Sequence, residues 1–378
     1  MLMTAAPPRT RIARLAARAR NIVDSSLCTR TSAVPNWIAR LDQYERLATL
    51  PAAYRRATLA ILDDDIVVDL LVLSYLRHGT PYALWADTPS GFVEDVLAVR
   101  TWSRLRALLD ATVEYPRVAA PACFGSGARR HLVPLLAVWH VAVWREGAAM
   151  SVIVSPSAEV ADHPRRHLPR LAEQAGLPRV PAVFSVTTGT APDDEHALAG
   201  LCPPGTLIIA TDAGRLHPVQ GAAVDHVLDG RARLVALGVP ETTSGTWFED
   251  LAQRASSRTV PTAVSDLPSV TGEELGPCTS CPADHGVHSP AVHLPDTPWA
   301  ARQIACTGRR TRSSSPASMP GSPGRETACT RRKHPRRLMV LARSRRSPAA
   351  AAPGRPDARG RTETPWRQRT SPPQGRNP

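Results

Sequence analysis

The sequence predicts an α/β protein, a mostly parallel sheet flanked by helices, followed by a disordered basic C-terminal tail. Three observations predict it. Between about residues 91 and 240, short apolar runs of strand type alternate with segments of helical period. One of those runs, RVAAPA, passes through a glycine-rich turn straight into a helical pattern. After about residue 300 periodicity of either kind stops. Strands alternating with helices favour a parallel sheet, because a parallel crossover needs a helix-length connection.

The elements follow in order. Residues 1–35 are rich in Ala, Arg and Thr and are expected to be poorly ordered; an arginine-rich nucleic-acid arm is the alternative. Residues 36–90 carry helical patterns, YERLATL and VVDLLVLSYL, and form a helical element ahead of the main domain. In the main domain, residues 91–300, GFVEDVL and TWSRLRALLDATVE read as helices with apolar residues three and four apart. RVAAPA is the first strand, and a helix follows from about residue 130 to 144. MSVIVS, PAVFSV, GTLIIAT and ARLVALG are the later strands, with helices to about residue 175 and over roughly 219–228.

Residues 301–378 hold 11 prolines and runs such as TRRKHPRR, from which no core can be built. Of the 46 basic and 33 acidic residues, 19 and 3 lie in this tail. The first 300 residues therefore carry 27 and 30, a net −3, against +16 in the tail. The isoelectric point of 10.4 describes the tail and is no sign of a DNA-binding body. The abrupt shift to Arg, Pro, Ser and Ala fits a displaced reading frame in a GC-rich gene, or a genuine basic tail. The single lysine, Lys333, also lies there.

Composition excludes other classes. Seven cysteines in 378 residues do not make a disulfide scaffold. Arginines at 9, 11, 14 and 18 interrupt any apolar leader core. The longest apolar stretch, HLVPLLAVWHVAVW, is too short and too interrupted to span a bilayer. A cytoplasmic protein without a membrane partner is the expectation.

The turn Ala122-Cys-Phe-Gly125-Ser126-Gly127 has the context of a phosphate-binding loop: strand, glycine turn, helix. Such a loop needs a lysine for the β and γ phosphates and then a hydroxyl for magnesium. Ala128 and Arg129 occupy those positions, although Arg129 or Arg130 could attract a phosphate. A glycine-rich turn of an unrelated α/β protein remains open on this motif alone. GTLIIATDAG has the form of the second ATPase element, an apolar strand ending in acid, but presents Thr211 and Asp212. An ordinary strand and turn is the alternative.

Together, residues 91–299 resemble the large terminase subunit of tailed phages and prophages, the ATP-driven motor that packages double-stranded DNA. GFVEDVLAVRTWSRLRALL resembles the stretch before the family's P-loop, which helps hold adenine, with Leu105 at the usual glutamine. PACFGSGARRH resembles the P-loop itself, placing Gly125, Ser126, Gly127, Ala128 and Arg129 at the nucleotide. MSVIVSPSAEV resembles the following strand and its turn. In GTLIIATDAGRLHP, Thr211 stands at the magnesium-organising aspartate and Asp212 at the catalytic glutamate. RARLVALGVPETTSGTWFEDL resembles the coupling segment, with Val239 where asparagine is common, and SDLPSVTGEELGPCTSCP the loop after it. The resemblance implies a P-loop NTPase-like fold, ATP and Mg2+ as cofactors, and DNA, portal and small terminase subunit as partners. The replacements imply that hydrolysis is lost, leaving an inactive remnant. The family's carboxyl-terminal nuclease domain is expected to be absent, since only Glu326, Asp357 and Glu363 follow residue 300.

Cys278 and Cys281 have metal-knuckle spacing, and His285 and His288 follow. Structural zinc, reduced thiols in a loop and redox chemistry are all open readings of this cluster. Cys123 is expected to be a packing residue. A second class of function, a non-enzymatic nucleic-acid-binding protein acting through the basic tail, follows from the charge of residues 301–378.

Overall fold

A computed structural model describes residues 10–25, 36–122, 128–144, 149–157, 166–177, 183–187, 205–228, 232–239 and 245–275, with a few single positions besides. The chain divides into two units, residues 1–316 and 317–378, and the second lies wholly outside the described residues.

Five helices lead the fold: α1 (Arg11–Ser25), α2 (Trp37–Thr49), α3 (Ala52–Ile61), α4 (Asp64–His78) and α5 (Pro89–Asp95). α4 is their centre. Asp64 and Asp65 sit in its first turn and Arg77 and His78 in its last, matching the helix dipole. Gly79 ends it at φ 73°, a left-handed position that glycine takes at least cost.

The segment expected to be poorly ordered contains α1, which is a correction. Ile12, Ala13, Leu15, Ala16 and Ala19 form one buried helical stripe packed on α4. Composition misleads here because alanine combines high helix propensity with a side chain small enough to let two helices approach closely. The arginines sit at the rim. Arg11 donates to Asp64 Oδ1 at 2.7 Å and to the Leu59 carbonyl at 2.8 Å, and Arg20 donates to the Gly176 carbonyl.

The sheet comprises β1 (Arg117–Pro121), β2 (Ser151–Ser155), β3 (Val183–Thr187), β4 (Leu207–Thr211), β5 (Arg233–Gly238) and the two-residue β6 (Arg258–Thr259). The strand order is β3-β2-β4-β5-β1-β6, and each described pairing is parallel. β2 and β4 are buried at every position, as strands covered on both faces must be.

Period two assigns the faces. Val118, Ala120, Ile153, Leu207, Ile209, Val235 and Leu237 share a core with α6 (Ser103–Glu114), α7 (Ala128–Val143) and α8 (Leu168–Gln174). Ala119, Val152, Val154, Ile208, Ala210, Leu234 and Ala236 pack against α9 (Pro218–Leu228) and α10 (Trp247–Gln253). Connections running towards β3 use the first face and those running towards β6 use the second. A single crossover hand demands this separation. The leading helices join the first core, so they and the sheet share one hydrophobic interior.

Long-range caps close the frame. Arg233 donates to the Thr112 and Val113 carbonyls at 2.8 and 3.0 Å, ending α6 against β5. Among the described residues, no helix is long and apolar enough to cross a membrane.

Candidate functional site

In an open parallel sheet, ligands bind beyond the carboxyl ends of the strands, where successive connections diverge to opposite faces. Here that point involves β1, β4 and β5. Pro121 pairs with Gly238, and Thr211 with Leu237, so the three strand ends lie side by side. The Ala122 amide donates to the Gly238 carbonyl at 2.8 Å, carrying the pairing one residue past β1.

The glycine turn leaves β1 here. Gly125, Ser126 and Gly127 lie outside the described residues, as does Cys123, and α7 begins at Ala128. The side chain of Arg129 also lies outside them.

Thr211 is fully buried, and its hydroxyl donates to the Val154 carbonyl of β2 at 3.3 Å. The hydroxyl therefore serves the sheet. Asp212 follows in a left-handed conformation, φ 50° and ψ 41°, which aspartate adopts more readily than most residues. Its carbonyl accepts the Arg215 amide at 2.8 Å, tightening the 3-10 turn Ala213–Arg215. That turn presses on β5: a Cβ added at Gly238 would lie 2.9 Å from the Gly214 amide and from the Phe248 ring. Only glycine permits this closeness.

Leu105, which the resemblance set at a glutamine position, is buried in the apolar core on α6. Val239 follows β5 and is partly exposed. Cys278, Cys281, His285 and His288 lie outside the described residues. Among the described residues, no group of three or more His, Cys, Asp or Glu is placed to hold a metal ion. Cys202 is free and half-buried; burial pushes its thiol up to about 11, far from a reactive thiolate.

Several contacts join the segment after β6, α6 and α7 without any warning from sequence spacing. The Thr262 amide donates to the Pro121 carbonyl at 2.7 Å, bringing the segment after β6 alongside. Ser103, first in α6, donates from its amide and its hydroxyl to the two carboxylate oxygens of Glu273, both at 2.7 Å. Burial, the largest single influence, raises the Glu273 carboxyl, but the two Ser103 hydrogen bonds, the Thr271 hydroxyl and the Arg106 charge together outweigh it and hold the carboxyl below its ordinary range. Trp102 meets the ring of His131, from the first turn of α7, edge to face at 6.0 Å. The pairing of Ser103 with Glu273 spans 170 residues, so no local pattern foretells it. The N-cap of α10 differs, because Gly245, Thr246 and Glu249 all lie within GTWFE. Thr246 Oγ1 accepts the Glu249 amide at 3.2 Å, and Glu249 accepts the Gly245 amide at 2.9 Å.

No protein-family model and no curated protein sequence matches this chain.

Proposed function

We propose that this chain is a terminase large-subunit-like protein, a relic of the ATP-driven motor that packages double-stranded DNA, with its nucleotide chemistry lost. One observation carries the reading. The strand leading to the glycine turn and the strand ending in Thr211-Asp212 are separated by a single strand, β5. Two inter-strand spacings amount to about 10 Å, a gap that a bound triphosphate and its magnesium would bridge. Gly238, at the end of that middle strand, keeps the three ends flush.

Magnesium-ATP does not suit the described residues. Ala128 carries no ammonium for the phosphates. Among the described residues, the hydroxyl that ends β4, that of Thr211, is fully buried and committed to Val154. Asp212 follows as the nearest carboxylate among the described residues, and one acid without a lysine or a free hydroxyl beside it does not assemble the metal-phosphate site. No hydrolytic step is therefore assigned. A second reading rests on the tail: 19 basic against 3 acidic residues in 301–378 bind any polyanion, so DNA remains a partner without a motor.

The test is reversion. In Ala128→Lys/Thr211→Asp, the new carboxylate enters a fully buried position. Without a counter-ion that costs several kcal/mol. The double variant should melt below the wild type alone and recover on adding magnesium-ATP. The wild type should neither shift nor turn over ATP. Turnover by the wild type would overturn the inactive reading, and a double variant indifferent to magnesium-ATP would overturn the ancestry.

A further inference from the structure

We infer that residues 262–273 form a strap that opens away from the carboxyl end of β1, and that the hydrogen bonds from Ser103 to Glu273 are its latch. The inference stands on geometry alone and does not depend on the ancestry proposed above.

The strap runs between two fixed points. At one end, Thr262 bridges to Ala122 beside β1. At the other, Glu273 takes both donors of Ser103 at the start of α6. Between them Asp266 lies 3.4 Å from Arg104 Nε, and the Ser269 carbonyl accepts from Thr297 Oγ1 at 3.0 Å. The short helix α11 (Pro268–Thr271) forms its middle. Apolar anchorage is slight: apart from Thr262 itself, only Leu267 and Pro268 are buried along this stretch. Segments held by few buried apolar contacts open at low free energy.

Polar side-chain atoms on the strap and just ahead of α6 are left unmet. Thr101 Oγ1 and Trp102 Nε1, just ahead of α6, and Thr262 Oγ1 and Ser269 Oγ, on the strap, are buried side-chain atoms with no hydrogen-bond partner among the described residues. Thr101, Trp102 and Thr262 are each less than 5% exposed. Buried polar groups are nearly always paired, and each unmet one opposes the closed state because water would satisfy it on opening. Desolvation thus pushes the strap outward while Glu273 holds it down. The latch itself sits at the surface, where Ser103 is exposed and Glu273 only half-buried, so breaking it opens no deep core.

Hydrogen–deuterium exchange on the full chain tests this. In Glu273→Ala, amides of residues 262–275 should exchange about tenfold faster than in the wild type, the change given by losing a charge-assisted bond pair. Amides of α4 and β4 should keep their wild-type rates. Ser103→Ala, which retains the backbone donor, should give a smaller rise in the same peptides, so the test survives if the first variant fails to fold. Unchanged strap exchange in the folded variants, or a rise spread evenly through the sheet, would overturn the inference.

Discussion

Replacing Gly221 by alanine should destabilise the protein, although alanine is the better helix former. Gly221 lies within α9, where the substitution would gain about 1 kcal/mol from propensity alone. The space is already filled. A Cβ at Gly221 would lie 2.2 Å from Cγ, 2.4 Å from Cδ1 and 2.7 Å from Cβ of Trp247. The tryptophan cannot simply swing aside: its indole nitrogen donates to Asp225 Oδ2 at 3.0 Å, and Arg254 holds the other Asp225 oxygen at 2.9 Å. Relief therefore requires α10 to move off α9 or the indole to lose its acceptor. Overpacking costs about 1–3 kcal/mol and the lost hydrogen bond at least about 1 kcal/mol. Set against the propensity gain, the net loss is about 2 kcal/mol. For a folded body of this size that is a fall of roughly 4–8 °C in Tm. Thermal melting followed by circular dichroism measures it. A double-mutant cycle isolates the cause. Trp247→Leu alone should cost about 2–3 kcal/mol through its cavity. Adding Gly221→Ala to it should cost nothing more, a coupling near 2 kcal/mol. A neutral or raised Tm in Gly221→Ala, or strict additivity with Trp247→Leu, would refute the packing of α9 on α10.

Two further outcomes are expected. His140 is 2% exposed, its Nε2 lies 2.8 Å from the Gly205 carbonyl, and burial pushes its imidazole down to about 4. Because the folded state resists the proton more than the unfolded chain, stability is whole above about pH 6.5. It should be lost as pH falls towards 4, by up to about 3 kcal/mol. His140→Gln, which keeps a donor for Gly205, should flatten that part of the stability–pH curve measured by urea unfolding; an unchanged slope would dismiss the buried histidine as its source. Binding of the full chain to duplex DNA should weaken roughly tenfold or more between about 50 and about 200 mM salt. It should vanish when residues 302–378 are removed, and retention of binding would place the interface in the body instead.

How much was legible in sequence differs from element to element. β2 and β4 could be read because a strand buried on both faces must be apolar throughout, and SVIVS and LIIAT carry few other options. The N-cap of α10, where Thr246 accepts the Glu249 amide, was equally local. α1 was missed because an alanine stripe has no hydrophobic signature until a partner helix lies against it; only packing on α4 turns Ala13, Ala16 and Ala19 into core.

The sequence by itself determined the alternation of strands and helices and the charge asymmetry between body and tail. Those properties are sums or short-range patterns, which a chain carries whatever its fold. Only the tertiary structure decided that β5 lies between β1 and β4, that Thr211 spends its hydroxyl on Val154, and that Glu273 reaches Ser103. Each of these joins residues far apart in the chain. Their proximity follows from strand order and helix packing, which no spacing along the sequence encodes.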